Sequence, residues 1–371
     1  MGDRHVRRHI FNVVAVILVP AAAMAQPATP QAAKPAQAAA APAAAPSIKV
    51  GVTVFADYTL TETPKTTDAT GDAVTLNGFS LTRSYFNLTG TVTPRISFRV
   101  TSDIARESGA GSGLNGSLMF RLKYAYGQLR VGENTQVRLG MQPTPLIDGQ
   151  EGVYRYRFQG TSFVEREGGL SSSDLGLTVL APLPKGYGDV HVGVYNGEGY
   201  TKPEVNDQKA LMMRATLKPM PAHALGKGLR IIGYYQADHY VQGAPRTRAA
   251  GSIMFEHARL NAGADLIRRV DQSAPASREV TGEGYSFFVT PFFNEKGRGL
   301  EGLLRYDVFD PDTDVAGERQ RLIAGAAYWF PRQGSATAAV LAHMEQVRQS
   351  GVATPMRTTE RRFAVNLLIV F

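Results

Sequence analysis

The chain of 371 residues contains no cysteine and a single tryptophan. Without cysteine there is no disulfide framework, so an exported chain of this size must be held together by its own hydrogen bonds. After Val19 the sequence also lacks any apolar run long enough for a transmembrane helix, which needs about 20 residues. Hydrophobic residues instead alternate with polar ones over many short segments. Such dilute alternation is typical of a membrane-spanning barrel.

The first residues have the order expected of an export signal. Met1 to His9 is short and basic, Ile10 to Val19 is apolar, and Ala23-Met24-Ala25 fits a small-x-small cleavage site. A stretch rich in Ala, Pro and Gln follows, which cannot bury a core and is expected to form a mobile periplasmic tether. The predicted organisation is a signal peptide at 1–25, an Ala/Pro-rich linker at 26–47 and a barrel domain at 48–371.

The last eleven residues, 361–371, show the alternation most clearly. One row is apolar, and the other is mainly polar or small; the two rows are Phe363, Val365, Leu367, Ile369 and Phe371 against Arg362, Ala364 and Asn366. A period of two places these rows on opposite faces of a strand. A final aromatic residue suits the interfacial girdle of an outer-membrane barrel. Taken alone, the segment is equally compatible with a core strand of a soluble sandwich.

Sixteen segments of this kind follow one another from Ile48 onward. Most are close to the ~9–11 residues that a tilted strand needs to cross a bilayer. The predicted strands are 48–59, 79–91, 94–106, 117–131, 135–143, 173–181, 188–197, 208–218, 228–240, 247–256, 259–269, 284–293, 299–309, 319–329, 336–348 and 360–371.

The connections between these segments are sorted by length. Those after odd-numbered segments are long, as at 60–78, 144–172 and 270–283, whereas most after even-numbered segments are tight turns. Long loops on one side and short turns on the other are typical of an outer-membrane barrel with both termini in the periplasm. The sequence therefore predicts an all-β, closed antiparallel transmembrane β-barrel of about 16 strands. A barrel of that width leaves a water-filled channel, which predicts passive diffusion of small solutes.

Several stretches resemble the phosphate-selective porin O and P family. They are Gly78-Phe79-Ser80-Leu81-Thr82-Arg83-Ser84-Tyr85-Phe86-Asn87-Leu88-Thr89-Gly90, Phe98-Arg99-Val100-Thr101-Ser102-Asp103, Val137-Arg138-Leu139-Gly140-Met141-Gln142-Pro143, Ser162-Phe163-Val164-Glu165-Arg166 and Val194-Tyr195-Asn196-Gly197-Glu198-Gly199. The resemblance covers roughly 78–220 and implies an outer-membrane porin. The sequence departs from the family where Gly168 follows Glu167 and Ser173 precedes Asp174, so the fold and porin activity transfer better than the phosphate substrate.

Assigning the apolar row of each strand to lipid places a row of charged side chains in the lumen. Arginine suits oxyanions because its planar fork donates two hydrogen bonds and stays ionised. The predicted cations of the wall are Arg83, Arg95, Arg99, Arg121, Lys123, Arg138, Arg214, Arg230, Arg269, Arg305, Arg321 and Arg362. Fewer acids oppose them: Asp57, Asp103, Asp238, Glu256, Asp265, Glu301, Asp307 and Glu345. This excess predicts a pore that favours anions, with a weakly selective wall or a true phosphate site as alternatives.

Residues 144–172 form the longest connection, and long loops in compact folds usually have a function. The family resemblance implies that this loop folds into the barrel and narrows it. Arg155, Arg157 and Arg166 are then expected to line the constriction. A salt-bridge staple within the loop is an equally good interpretation of Arg166, because Glu165 and Glu167 flank it.

Other functions fit the sequence less well. Asp238-His239 is similar to the Asp-His pair of barrel-rim aspartic-type proteases, but the acidic pair that such a site needs opposite it is missing, so no enzymatic activity is predicted. Asp310-Pro311-Asp312-Thr313-Asp314 begins like a calcium loop, yet Val315 and Arg321 replace its required Gly and Glu. No cofactor, metal or nucleic-acid partner is predicted, although the sequence pI is about 9.6. The expected partners are outer-membrane lipid and lipopolysaccharide, small anionic or polar solutes, and two further copies in a homotrimer.

Overall fold

The computed structural model describes residues 45–108, 113–351 and 359–371. The predicted signal peptide and most of the predicted linker lie outside the described residues. Ala45 and Pro46 have no regular structure, and Ser47 already begins the first strand.

The described residues form a closed barrel of sixteen strands in which each strand pairs antiparallel with its sequence neighbours. The first strand also pairs with the last, so the sheet has no free edge. The strands are β1 Ser47–Thr67, β2 Ala73–Thr93, β3 Ile96–Arg106, β4 Leu118–Val131, β5 Thr135–Pro143, β6 Ser173–Pro182, β7 Gly188–Tyr195, β8 Ala210–Leu217, β9 Leu229–Val241, β10 Ala244–Glu256, β11 Leu260–Asp271, β12 Val280–Pro291, β13 Gly299–Asp310, β14 Glu318–Trp329, β15 Thr337–Ser350 and β16 Thr359–Val370. The predicted fold class is confirmed.

Alternation along each strand separates an apolar outer face from a polar inner face. In β16, Phe363, Val365 and Ile369 are exposed on the outside, whereas Ala364 and Asn366 are buried inside. Leu266 on β11 and Phe287 on β12 are likewise exposed. This pattern is that of a transmembrane wall, whose outer surface meets hydrocarbon.

The two ends of the chain meet along one seam. Phe371 exchanges two backbone hydrogen bonds with Val52 of β1, at 2.9 and 3.0 Å. Thr53 stands opposite Val370 in the same ladder. We call the end of the barrel that holds both chain ends and the connections after even strands the terminal rim, and the opposite end the distal rim.

The first connection differs from its prediction. Residues 60–78 were expected to be a long loop, but β1 and β2 continue through most of them and leave only 68–72 as the turn. The two strands pair from Ser47↔Thr91 to Thr61↔Leu76 and again at Thr66↔Val74 and Thr67↔Ala73, with an irregularity between these two stretches. The alternation of apolar and polar residues fades in this hairpin, whereas its backbone pairing resumes close to the turn.

Two short helices, α1 Pro145–Gln150 and α2 Phe163–Gly168, lie in the connection between β5 and β6. Two 3₁₀ turns, Pro184–Gly186 and Gly226–Gly228, lie at the terminal rim. Within the described ranges, no helix has the length and apolarity needed to span a membrane.

Candidate constriction site

We call residues 144–172, which connect β5 to β6, the inward loop. Its two ends are tied together, because Thr144 donates from its backbone N to Ser172 O at 3.2 Å and from Oγ1 to Ser171 O at 2.5 Å. Pro145 starts α1, where its missing N–H costs nothing. Gly169 ends α2 with a φ of 62°, a left-handed conformation that glycine adopts without strain. The loop is therefore a compact folded unit.

Apolar side chains bury one face of the inward loop against the interior of the barrel. Leu146, Ile147, Val153 and Phe163 are at most 2% exposed. Aromatic rings extend this contact, since Tyr156 and Phe158 lie within 6.3 Å of the Trp329 ring on β14. The loop thus folds into the lumen, as the family resemblance implies.

Polar contacts fix the inward loop to one half of the wall. Most involve inward-facing side chains of β10 to β16, with a further bond from Arg214 of β8 to Pro145 O at 2.7 Å, and most join a side chain to a loop carbonyl. The bonds are Gln150 Nε2 to Asp265 Oδ1 at 2.8 Å, Asn261 Nδ2 to Val153 O at 2.9 Å, Asn366 Nδ2 to Phe158 O at 3.1 Å, Arg305 Nη1 to Thr161 O at 2.8 Å, Arg248 Nε to Gly168 O at 2.5 Å and Arg269 Nη1 to Glu167 O at 3.0 Å. Unpaired carbonyls buried in a lumen are costly, so these bonds stabilise a single loop position.

The arginines of the inward loop are engaged in ion pairs. Arg155 donates to both carboxylate oxygens of Glu301 at 3.0 Å. Arg157 lies between Glu151 and Glu165, at 2.8 Å from each.

Arg166 lies 3.9 Å from Glu345 on β15 and donates from Nε to Thr161 Oγ1 at 3.3 Å. The staple within the loop is therefore made by Arg157, and Arg166 instead contacts the wall.

The half of the wall away from these loop contacts carries five of the predicted cations. We call Arg83 on β2, Arg99 on β3, Arg121 and Lys123 on β4, and Arg138 on β5 the basic wall. Asp103 is the one strand carboxylate that pairs with them in the described ranges, at 2.7 Å from Arg83 and 3.7 Å from Arg121.

The other members of the basic wall bond to neutral groups. Lys123 donates to Tyr85 Oη at 3.0 Å, Arg99 Nη2 to Asn87 Oδ1 at 3.1 Å and Arg138 Nε to Gln128 Oε1 at 2.9 Å. These neutral partners accept hydrogen bonds without neutralising the positive charge of the side chains.

Carboxylates of the inward loop face the basic wall. Asp148 lies 3.9 Å from Arg138. Burial raises the pKa of Asp148, and the charges of Arg138 and Arg214 act against that rise. Acids on the loop and cations on the wall opposite them together create a field across the lumen beside the inward loop.

The remaining predicted cations form ion pairs with carboxylates of the wall or lie outside it. Arg305 is 1% exposed and donates to Asp307 Oδ1 at 2.8 Å and Oδ2 at 2.7 Å. Arg214 pairs with Asp189, and Arg230 with Glu256. Arg321 pairs with Glu345.

Arg95 is exposed in the turn between β2 and β3, at the terminal rim. Unlike the members of the basic wall, it does not extend from a strand into the lumen.

Sequence reasoning missed several inward arginines. Arg246 donates from Nε to Asp238 Oδ2 at 2.8 Å and from Nη2 to Gly197 O at 2.8 Å. It was overlooked because the tenth strand was predicted to start at 247, whereas β10 starts at Ala244. Arg248 lay within the predicted strand, and its alternation with Arg246 is the signal that would have found both.

The acidic residues considered as a protease site and as a calcium site have other partners in the structure. Asp238 pairs with Arg246, and Asp265 accepts hydrogen bonds from Gln150 and Ser252, so both carboxylates are already engaged by protein side chains. Arg278 pairs with Asp312 and lies 2.9 Å from Asp314, in the place where a calcium ion was considered. No group of three or more metal-ligating side chains occurs in the described ranges.

Among solved structures, this architecture is similar to that of several outer-membrane proteins. One is OmpT of Vibrio cholerae in a trimer form, with 12% identity, a TM-score of 0.58 and coverage of 88% of this chain and 100% of that chain. Others are the channel DcaP of Acinetobacter baumannii (12%, 0.59, 88% and 98%) and an anion-selective porin of Comamonas acidovorans (14%, 0.57, 88% and 100%).

At these identities the similarity shows a shared porin-type fold. No protein-family model and no curated protein matches the sequence. Membership of the phosphate-selective porin O and P family therefore stays a prediction.

Proposed function

We propose that this protein is an outer-membrane porin: a water-filled channel for passive diffusion of small hydrophilic solutes, with a modest preference for anions. The observation that carries the proposal is the basic wall, whose five cations share one strand carboxylate, Asp103, in the described ranges. Cations in a narrow, low-dielectric passage attract anions and repel cations. The anion selectivity named for the porin of Comamonas acidovorans supports the same direction.

A general anion preference fits the basic wall better than tight phosphate binding does. A phosphate site needs several converging donors without acidic neighbours. Here Arg83 and Arg121 both lie against Asp103, and Asp148 approaches Arg138. The field across the constriction is therefore shared between basic and acidic groups.

The predicted export signal, the exposed apolar belt and the sorted connections support an outer-membrane location. In that setting the terminal rim faces the periplasm and the distal rim faces lipopolysaccharide. A homotrimer is also proposed, on the analogy of the trimer form of Vibrio cholerae OmpT. Phe79, which is 87% exposed on the outer face of the β1–β2 hairpin, is a candidate contact between copies.

The deciding experiment is the zero-current potential of the purified protein in a planar bilayer under a potassium chloride gradient. We expect the sign that corresponds to preferential chloride movement. Equal permeabilities would favour the alternative of a non-selective or sugar-type pore. The absence of any conductance would overturn the channel proposal.

A further inference from the structure

A cavity of about 310 Å³ opens on the distal side of the inward loop, where the loop meets the connection from β7 to β8. Cavities of roughly this volume commonly hold small molecules. Its charged lining consists of three carboxylates and two cations, none of which belongs to the basic wall. They are Glu165, Asp174, Glu198, Lys202 and Arg246. The partners of these five groups decide what the cavity can bind.

Two of the five charges are already neutralised by neighbouring side chains. Glu165 pairs with Arg157 of the inward loop at 2.8 Å. Arg246 donates from Nε to Asp238 Oδ2 at 2.8 Å. Because each of these groups has a partner of opposite charge, they form the wall of the cavity and leave little charge for a solute.

The other two carboxylates bond to neutral donors. Asp174 is 1% exposed and accepts hydrogen bonds from the backbone N atoms of Leu175 at 2.7 Å and Gly197 at 2.8 Å. Glu198 accepts a hydrogen bond from Asn206 Nδ2 at 3.4 Å. Within the described ranges neither carboxylate forms an ion pair. Both are therefore available as acceptors for an ammonium group.

A cation and a hydroxyl group without partners complete the lining. Lys202 is exposed in the connection from β7 to β8, and no acceptor binds its ammonium group in the part of the chain that the structure describes. Ser172 is 3% exposed, and its hydroxyl likewise has no hydrogen-bond partner among the described residues. A buried polar group without a partner is costly, so this hydroxyl is suited to bond to a polar solute.

Tyr200 joins the cavity to the basic wall. It lines the cavity, and its Oη accepts a hydrogen bond from Arg121 Nη2 at 3.2 Å. The guanidinium carbon of Arg121 lies 4.8 Å from the centre of the Tyr200 ring, and the ammonium group of Lys123 lies 6.0 Å from it. The surroundings of the cavity thus combine positive charge next to Tyr200 with the unpaired carboxylates of Asp174 and Glu198.

We infer that this cavity binds small zwitterions, which are solutes that carry both an ammonium and a carboxylate group. Asp174 and Glu198 accept charge-assisted hydrogen bonds from the ammonium group, while Lys202 and the Ser172 hydroxyl donate to the carboxylate. A simple anion or a simple cation leaves one set of these groups without a partner. An uncharged solute has no charge to offer to either set.

The role of this site in transport rests on the proposed function, because only in a channel does a solute from the distal rim continue past the inward loop. A zwitterion has no net charge, so the positive charge of the basic wall alone does not favour it over other neutral solutes. A site with unpaired charges of both signs distinguishes zwitterions from neutral solutes before they reach the constriction.

Four small probes that share a methyl group on a CH carbon test the inference. They are L-alanine, its uncharged isomer lactamide, the cation L-alaninamide and the anion lactate. Each is titrated at about pH 7, where the amino group of alaninamide is mostly charged, into the purified, detergent-solubilised protein. Saturation-transfer difference NMR of the methyl protons measures binding, and the signal from micelles without protein is subtracted.

We expect a saturable signal for alanine that is larger than the signals of the other three probes. An equal or larger signal from alaninamide would assign the cavity to cations, and one from lactate would assign it to anions. Either result would overturn the inference, as would an equal signal from lactamide or no saturable signal from alanine.

Two double variants with unchanged net charge locate the binding. In E198Q/K202Q, which removes one acid and one base from the lining, the half-saturating alanine concentration is expected to rise about ten-fold. In E204Q/K209Q the same exchange is made in the same connection, at two residues that pair with each other at 3.1 Å and do not line the cavity. There the alanine titration should match wild type, and equal shifts in the two variants would contradict the assignment.

Binding measured in this way does not depend on conductance. A protein that conducts ions but shows no preference for alanine would keep the proposed channel and lose the zwitterion site. A protein that binds alanine but does not conduct would keep the site and lose the channel.

Discussion

Arginine is abundant on both sides of the lumen, yet it has different surroundings on each side. Where the inward loop meets the wall, carboxylates pair with Arg155 of the loop and with Arg305 and Arg321 of the wall. Arg305 is almost fully buried. On the basic wall, Arg99 and Lys123 bond to neutral oxygens and lie against the rings of Tyr124 and Tyr85. The same type of charge is neutralised by carboxylates on one side and is hydrogen-bonded to neutral groups on the other.

This difference teaches that counting lumenal cations is a poor guide to selectivity. A cation that is neutralised by a buried carboxylate contributes little field at the distance of a passing ion. A cation with neutral neighbours contributes its full charge. The two halves of the lumen should therefore respond to substitution in different ways.

The largest effect is expected in the half of the lumen where the arginines form ion pairs beside the inward loop. Replacing Glu301 with alanine leaves Arg155 without its carboxylate and Tyr156 without its acceptor. Breaking a buried ion pair from one side costs about 3–5 kcal/mol, so we expect the inward loop to detach locally. Single-channel recordings should show larger and noisier conductance, and the urea midpoint of unfolding should fall.

The matched control is Glu283→Ala. Glu283 is also a strand carboxylate paired with an arginine, but it lies close to the distal rim, where it is 51% exposed and its partner Arg268 is 60% exposed. Exposed pairs contribute at most about 1 kcal/mol, so conductance and stability should stay close to wild type. Equal changes in conductance and in the urea midpoint in the two variants would refute the structural role assigned to the buried ion pair.

The next effect concerns the basic wall. The double variant R99M/K123M removes two charges that no carboxylate neutralises, while methionine retains much of the side-chain volume. The ratio of anion to cation permeability should fall on the order of three-fold, with little change in stability. Zero-current potentials measure this ratio.

The control for this prediction removes two cations of the distal rim. Arg278 pairs with Asp312, and Lys209 with Glu204 at 3.1 Å. The variant R278M/K209M should therefore keep the wild-type zero-current potential. An unchanged potential in R99M/K123M would mean that the basic wall does not set selectivity.

The fold was predictable because its signal is local. The alternation in residues 135–143 predicts the same limits that β5 has in the structure. The extension of β1 and β2 beyond residue 60 was not predicted, because these residues lack a clear apolar row. Backbone pairing between the two strands forms this extension, and such pairing leaves no periodic signal in the sequence.

Which arginines pair with carboxylates and which bond to neutral groups was not predictable, because this depends on the path of the inward loop. Glu151 and Glu165 close on Arg157 only after α1 and α2 have folded. Likewise, Arg155 meets Glu301 although they are 146 positions apart in the sequence. Neither contact leaves a periodic pattern, so sequence reasoning identified the cations and the acids but not which of them pair.

The smallest expected effect follows from pH. The raised pKa of Asp148 means that this carboxylate loses its charge at a higher pH than an ordinary aspartate as the solution is acidified. The guanidinium and ammonium groups of the basic wall remain charged over the same range. Acidification therefore removes negative charge from the inward loop and leaves the positive charge opposite it.

Anion preference should accordingly rise as the pH falls from neutral into the acidic range. In Asp148→Asn the preference at neutral pH should already be slightly higher than in wild type, and its further rise on acidification should be smaller. Zero-current potentials recorded at several pH values measure both. A rise of the same size in wild type and variant would show that other carboxylates, such as Glu151 at the same constriction, control the response.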